Sequence, residues 1–164
     1  MILADTNILS TFAKIDRLPL LLRLFGVNGL GVVPAVYEEF RAGVNKGYTD
    51  LQAVIKLIQQ GQIDLVAPTA QEVFQEDALP ASFDMGERET LAVAQSRGYA
   101  ILTNETQVKN WCKRERIEYW DLPGILRASW RTNLLPKAQV QSLIDQIEAK
   151  DRIVFRNKEA ILQE

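Results

Sequence analysis

"MGERETLAVAQSRGYAIL", residues 85–102, joins a helical pattern to a short apolar run, and its reading sets the fold. The block Leu91–Ala94 contains no polar gap. A helix here must be buried on most sides, because a surface helix keeps one polar face. Gly98 suits a C-terminal stop, and Tyr99–Leu102 then reads as a strand. Asp84 and Glu87 have the spacing of an N-cap and its reciprocal partner, which alone could account for both. Glu89 has no such role, and the residue four positions on is Val93, so no same-face cation awaits it. A carboxylate near the start of a buried helix needs something positive, and the local sequence supplies nothing.

The same alternation extends outward in both directions. Strand candidates are Met1–Ala4, Leu30–Val33, Ile63–Val66, Tyr99–Leu102 and Glu118–Trp120. Helical patterns fall at Ile8–Ile15, Pro19–Phe25, Ala35–Ala42, Leu51–Gln60, Gln71–Asp77, Glu87–Arg97, Thr106–Arg116 and Pro123–Trp130. Pro19 and Pro123 suit a first helical turn, and Gly61 and Gly98 a last one. Strands alternating with helices through short connections pair in parallel and are covered by those helices, so a doubly wound α/β domain is expected. The tail from 134 to 164 reads as a helix over Lys137–Lys150, a brief strand-like "IVFR" and a last short helix. No linker sets it apart, so residues 1–164 are expected to form a single domain.

Composition narrows the chemistry. The 164 residues contain no histidine and one cysteine, Cys112, which removes histidine bases, serine–histidine triads and zinc clusters. A lone cysteine fits a reducing cytoplasm and a structural thiol. The opening "MILADTN" lacks a basic leader and carries Asp5, so no signal peptide is expected, and no apolar run is long enough to span a bilayer. A net charge of −2 argues against gripping nucleic acid through overall positive charge, though not against a local basic groove.

In an open parallel sheet, ligands bind beyond the carboxyl ends of the strands. Asp5 follows the first strand directly, and Glu105 follows "YAIL" after Thr103 and Asn104. Glu38 and Glu39 lie one turn into the helix after "LGVV", and Glu89 lies in the helix that must begin at this same rim. Each has an alternative reading. Asp5 could cap the helix at Ile8, Glu38 could be solvated, and Asn104, Glu105 and Asp121 could be turn or cap residues. Two carboxylates at ~4 Å repel by about 4 kcal/mol at an effective dielectric near 20. Four converging carboxylates would therefore need protons or divalent cations, and oxygen-only ligands favour Mg²⁺ or Mn²⁺. Such an ion also binds phosphate oxygens, which suits phosphodiester hydrolysis.

At these residues the chain resembles a PIN domain, specifically the branch of predicted nucleic-acid-binding proteins related to toxin–antitoxin ribonucleases. The matching pieces, in order, are "ILADTNILS", "VVPAVYEEF", "DMGERETLAVA" and "AILTNETQVKNWC", and "LLPKAQVQSLIDQI" in the tail is also similar. The resemblance implies a three-layer α/β/α sandwich and a Mg²⁺- or Mn²⁺-dependent ribonuclease acting on single-stranded RNA. It implies Asp5, Glu39, Glu89 and Glu105 as metal-binding acids, with Thr6 and Asn7 orienting the first. Glu87 matches a further acid of this branch, and Asp84 the residue before the motif's Met85 and Gly86. The chain departs at the last acid, where the family has Asp in Thr-x-Asp and this sequence has Thr103-Asn104-Glu105. An antitoxin protein and a homodimer are the partners the resemblance suggests.

Cations near the rim are expected to hold the substrate backbone: Arg88, and Lys109, Lys113, Arg114 and Arg116 on the helix after Glu105. Trp111 could stack a base there; the competing reading is a solvated helix face with Trp111 packed inward. The rival functional reading is a member of the same fold that binds nucleic acid or a protein without cleaving. A phosphoryl-transfer receiver lacks its Asp at "LVAP", an aspartyl-phosphate hydrolase lacks Asp-x-Asp at Asp5-Thr6-Asn7, and "GVNGLG" precedes a strand rather than a helix.

Overall fold

The computed structural model describes residues 1–164. Its sheet comprises β1 (Ile2–Ala4), β2 (Leu30–Val32), β3 (Asp64–Leu65), β4 (Ala100–Leu102) and β5 (Tyr119–Trp120). All pairings are parallel, in the order β3-β2-β1-β4-β5. Leu3 sits opposite both Gly31 and Ile101, so β1 is the central strand. The residues of β1, β2 and β4 are buried throughout, as a parallel sheet covered on both faces requires.

The helices are α1 (Thr6–Lys14), α2 (Leu18–Phe25), α3 (Pro34–Asn45), α4 (Gln52–Gln59), α5 (Ala70–Glu76), α6 (Met85–Arg97), α7 (Thr106–Glu115), α8 (Leu122–Arg131), α9 (Lys137–Asp151) and α10 (Lys158–Leu162). They flank the sheet as an α/β/α sandwich, and the alternation expected from the sequence is present. Helix α6 buries Leu91, Ala92, Val93 and Ala94 together and stops at Gly98, whose φ of +67° is the left-handed conformation a helix stop favours.

The tail differs from expectation in one place. Residues 153–156, "IVFR", form no strand. They lie against residues of α7 and α8 along a cleft, with Phe155 buried, instead of adding to a sheet edge. Helix α9 packs Val140, Leu143, Ile144 and Ile147 into the same apolar cluster as the sheet. Thr11 and Lys14 of α1 both hold the Asp151 carboxylate at the end of α9. No helix is long and apolar enough to cross a membrane.

The strand order reverses between β1 and β4, which opens a crevice at their carboxyl ends. The backbone closes the walls of that crevice. Asp5 N donates to Leu102 O and Thr103 N to Trp120 O, each at 3.0 Å. The segments leaving β1 and β4 therefore run side by side.

Candidate active site: an acidic pocket at the strand switch

Asp5 is the residue at which β1 becomes α1. Its Oδ1 accepts the Ile8 amide at 2.8 Å, the cap a helix start calls for. Its Oδ2 is buried and has no partner. Asp5 is thus a cap through one oxygen, while the other is left over.

Thr6 and Asn7, in the first turn of α1, reach to either side. The Thr6 hydroxyl donates to Glu39 on α3, and the Asn7 amide donates to Glu105 at the start of α7. Asp84 and Glu87 form the reciprocal cap of α6: Glu87 N donates to Asp84 Oδ1 at 2.8 Å, and Asp84 N to Glu87 Oε2 at 3.0 Å. These side chains surround a pocket of about 50 Å³ lined by Asp5, Glu39, Asp84, Glu87 and Glu105, and by no lysine or arginine. A water needs roughly 10–15 Å³ on this measure, so the space suits a small ion with a few waters and not a nucleotide.

Gly86 makes the arrangement sterically feasible. A Cβ there would press on the Glu39 carboxylate and lie 3.2 Å from Val36 Cγ2. Its absence lets α3 and α6 approach until Glu39 and Glu87 share one pocket.

The electrostatics follow from the crowding. Burial pushes the Asp5 carboxyl up to about 7; Thr103 and the Ile8 amide oppose the rise, and the charges of Glu105 and Glu87 add to it. Burial also raises Glu39, against its bond from Thr6 and with help from Asp84. Glu87 is raised by burial and then by Asp84, Glu105 and Glu39, while its bond from the Asp84 backbone opposes. Like charges in one site disfavour joint ionisation unless a cation intervenes.

The expectation for Glu89 needs correction. It does not line the pocket; its Oε2 accepts the Ala35 amide at 2.6 Å, at the N-terminus of α3. Two residues along an α-helix are about 200° apart, so Glu87 and Glu89 cannot face the same pocket, and Glu87 is the one that does. The positive partner that Glu89 lacks locally is the start of another helix. Val33 offers α3 no side-chain cap, and Glu89 supplies one from α6.

The expected basic face is also largely redirected. Arg88 donates to Pro80 O, Arg114 bonds Glu115 and lies 3.9 Å from the Trp111 ring, and Lys113 is exposed on α7; none lines the pocket. Trp111 packs edge-on against Phe83 at 5.7 Å, the inward alternative. Lys109 does face the rim, 3.4 Å from Asp121. Asn104 lies beside it, its Oδ1 accepting the Leu122 amide at 3.4 Å, and the Thr103 hydroxyl accepts the Glu105 amide at 3.2 Å.

The donor set fits a hard divalent cation: oxygen ligands alone, no competing cation, and one buried carboxylate oxygen without a partner. The carboxylates line the pocket without any three closing on a common point. Glu39, Glu105 and Glu87 are each held back by a hydrogen bond to Thr6, Asn7 and the α6 cap.

The chain is thus a parallel α/β sandwich with an acidic pocket at its strand switch. A family profile described as a PIN domain (DUF3368) matches residues 1–164, and the chain belongs to that family. PIN domains are generally nucleases that use divalent metals. No curated protein matches the chain.

Proposed function

We propose that this protein is a Mg²⁺- or Mn²⁺-dependent ribonuclease that hydrolyses phosphodiester bonds of single-stranded RNA. The observation that carries the reading is the buried, partnerless Asp5 oxygen among four other acids in a pocket without cations. Asp5, Glu39, Glu87 and Glu105 are the residues that would hold the ion. When bound, the ion supplies Lewis acidity toward the phosphate and activation of the attacking water.

The chain's own residues do the positioning. Asp5 is fixed by the Ile8 amide, so its free oxygen keeps one direction. Thr6 and Asn7 aim the flanking carboxylates, and Glu89 anchors α3, which carries Glu39, to α6, which carries Glu87.

The supporting experiment is cleavage of a mixed RNA pool in Mn²⁺ against chelator, with loss of cleavage in Asp5→Asn. Metal-dependent cleavage that survives Asp5→Asn would refute the assignment. Two features favour a second reading, a PIN-fold protein that binds without cleaving: the carboxylates stop short of a common point, and Glu105 stands where the family pattern has Asp. That reading predicts RNA binding with no cleavage in either metal. We also propose a cytoplasmic setting, with an antitoxin protein or a second copy of the chain as partner.

A further inference from the structure

Beside the acidic pocket lies a much larger space of the opposite character. A cleft of about 550 Å³ opens between α7, α8 and the segment joining α9 to α10. This lies within the roughly 300–1,000 Å³ of sites that enclose a nucleotide-sized group. Lys109, Arg127 and Arg156 line it together with the amides of Asn104 and Asn157, and no Asp or Glu does.

The cations differ in how far the fold uses them. Lys109 is shared with Asp121. Arg127 gives one guanidinium nitrogen to Ala160 O, while its buried Nε has no partner. A buried guanidinium nitrogen without an acceptor is an exception to the usual pairing of such groups. Arg156 is exposed and enters none of the chain's ion pairs.

The two spaces are connected. A third hollow between them, whose lining includes the paired Lys14 and Asp151, shares Asn7 and Glu105 with the acidic pocket, and Asn104 and Ile153 with the cleft. A strand laid along it passes from five carboxylates to three cations without leaving the surface.

We propose that the cleft holds the phosphodiester that flanks the scissile bond of a single-stranded RNA, an assignment that rests on the nuclease reading above. It explains how a chain of net charge −2 can hold a polyanion: the positive charge is concentrated beside the pocket. It also gives the stretch 153–156 a role that a sheet strand would not. The exposed Val154 at the cleft wall offers a ribose or base an apolar surface.

The test is fluorescence anisotropy with a labelled oligouridylate of about eight nucleotides, in chelator so that nothing is cut, across a salt series. The double variant K109Q/R156Q is expected to bind about ten-fold or more weakly, with a salt slope smaller by about 0.7 for the one phosphate of a single strand no longer neutralised. K113Q/R114Q, on the outer face of α7, is expected to bind as wild type. An unchanged Mn²⁺ melting shift in K109Q/R156Q shows that the fold and acidic pocket are intact. Uridine monophosphate at equal phosphate concentration should leave the oligomer bound; displacement would assign the cleft to a free nucleotide and overturn the proposal. Unchanged affinity and slope in K109Q/R156Q would also overturn it, while cleavage by wild type left the nuclease reading standing. Wild type that binds but never cleaves removes the nuclease and keeps the cleft. Wild type that binds no oligomer overturns the cleft assignment, while cleavage of the RNA pool in Mn²⁺ decides the nuclease reading separately.

Discussion

Replacing Asp5 by Asn should make the metal-free protein more stable at alkaline pH, although it removes the most buried acid of the candidate site. The carboxyl titrates near 3.8 in an unfolded chain and about 7 in the folded one, because burial disfavours its charge. The folded state therefore binds the proton more tightly, and stability falls as pH rises through this window. Each pKa unit corresponds to about 1.4 kcal/mol, so the full loss is about 4 kcal/mol above the folded value. For a chain of this size, ~2–4 °C of Tm per kcal/mol makes this roughly 8–16 °C. Asn stays neutral, keeps an oxygen for the Ile8 amide, and caps as well as Asp. Differential scanning calorimetry in chelator should show Asp5→Asn melting above wild type near pH 8.5, the two converging toward about pH 4. Mn²⁺ at a hundred times Kd should narrow the gap to roughly a third, since it adds about 2.7 kcal/mol to a protein that binds it and nothing to one that does not. An Asp5→Asn protein that melts at or below wild type in chelator near pH 8.5, or a gap that ignores pH, would refute the argument.

Other substitutions separate ligand from scaffold. Glu89→Ala removes the only side-chain cap of α3, a charge-assisted bond, and should lower stability by about 1.5–3 kcal/mol in urea melts while a Mn²⁺ shift persists. Glu87→Gln should do the opposite, leaving the urea midpoint nearly unchanged and removing the Mn²⁺ shift. Gly86→Ala gains about 0.5–1 kcal/mol of helix propensity but pushes on the Glu39 carboxylate and Val36, so Mn²⁺ affinity should fall several-fold with little change in Tm. Away from the site, Arg97 holds the buried Glu72 carboxyl down to about 2. That contribution is present above the ordinary carboxyl value near 4.5 and is lost as pH falls toward 2, so Glu72→Gln should flatten the acid limb of the stability profile.

The sheet was legible because short apolar runs and helical periods differ sharply in this sequence, and the rim followed from topology. Asp5, Glu39 and Glu105 could be placed from their distance past a strand end. Glu87 was masked from the spacing argument by its own cap, since a residue that satisfies a backbone amide looks spent although its carboxylate still faces the pocket; only the family resemblance pointed to it as an acid of the site. Glu89 stood out because nothing local explained it, and the explanation lies on α3, fifty-four positions away in sequence. The cleft was unreadable for a related reason. Lys109, Arg127 and Arg156 come from two helices and an irregular segment, and no spacing links them. "IVFR" misled because β-branched and aromatic residues suit any half-buried extended chain, with or without a partner strand.

The central position of β1 has a consequence for biosynthesis. Its two neighbours are β2, which follows soon after it, and β4, which emerges from the ribosome only some hundred residues later. Until then the nascent chain carries β1 with one edge unzipped, a state open to pairing with the wrong partner. The acids that leave β1 and β4 meet only when that edge closes. A chain interrupted before residue 105 therefore holds Asp5 and Glu39 without Glu105, so an unfinished copy is inert toward RNA on this reading and is instead a burden for chaperones.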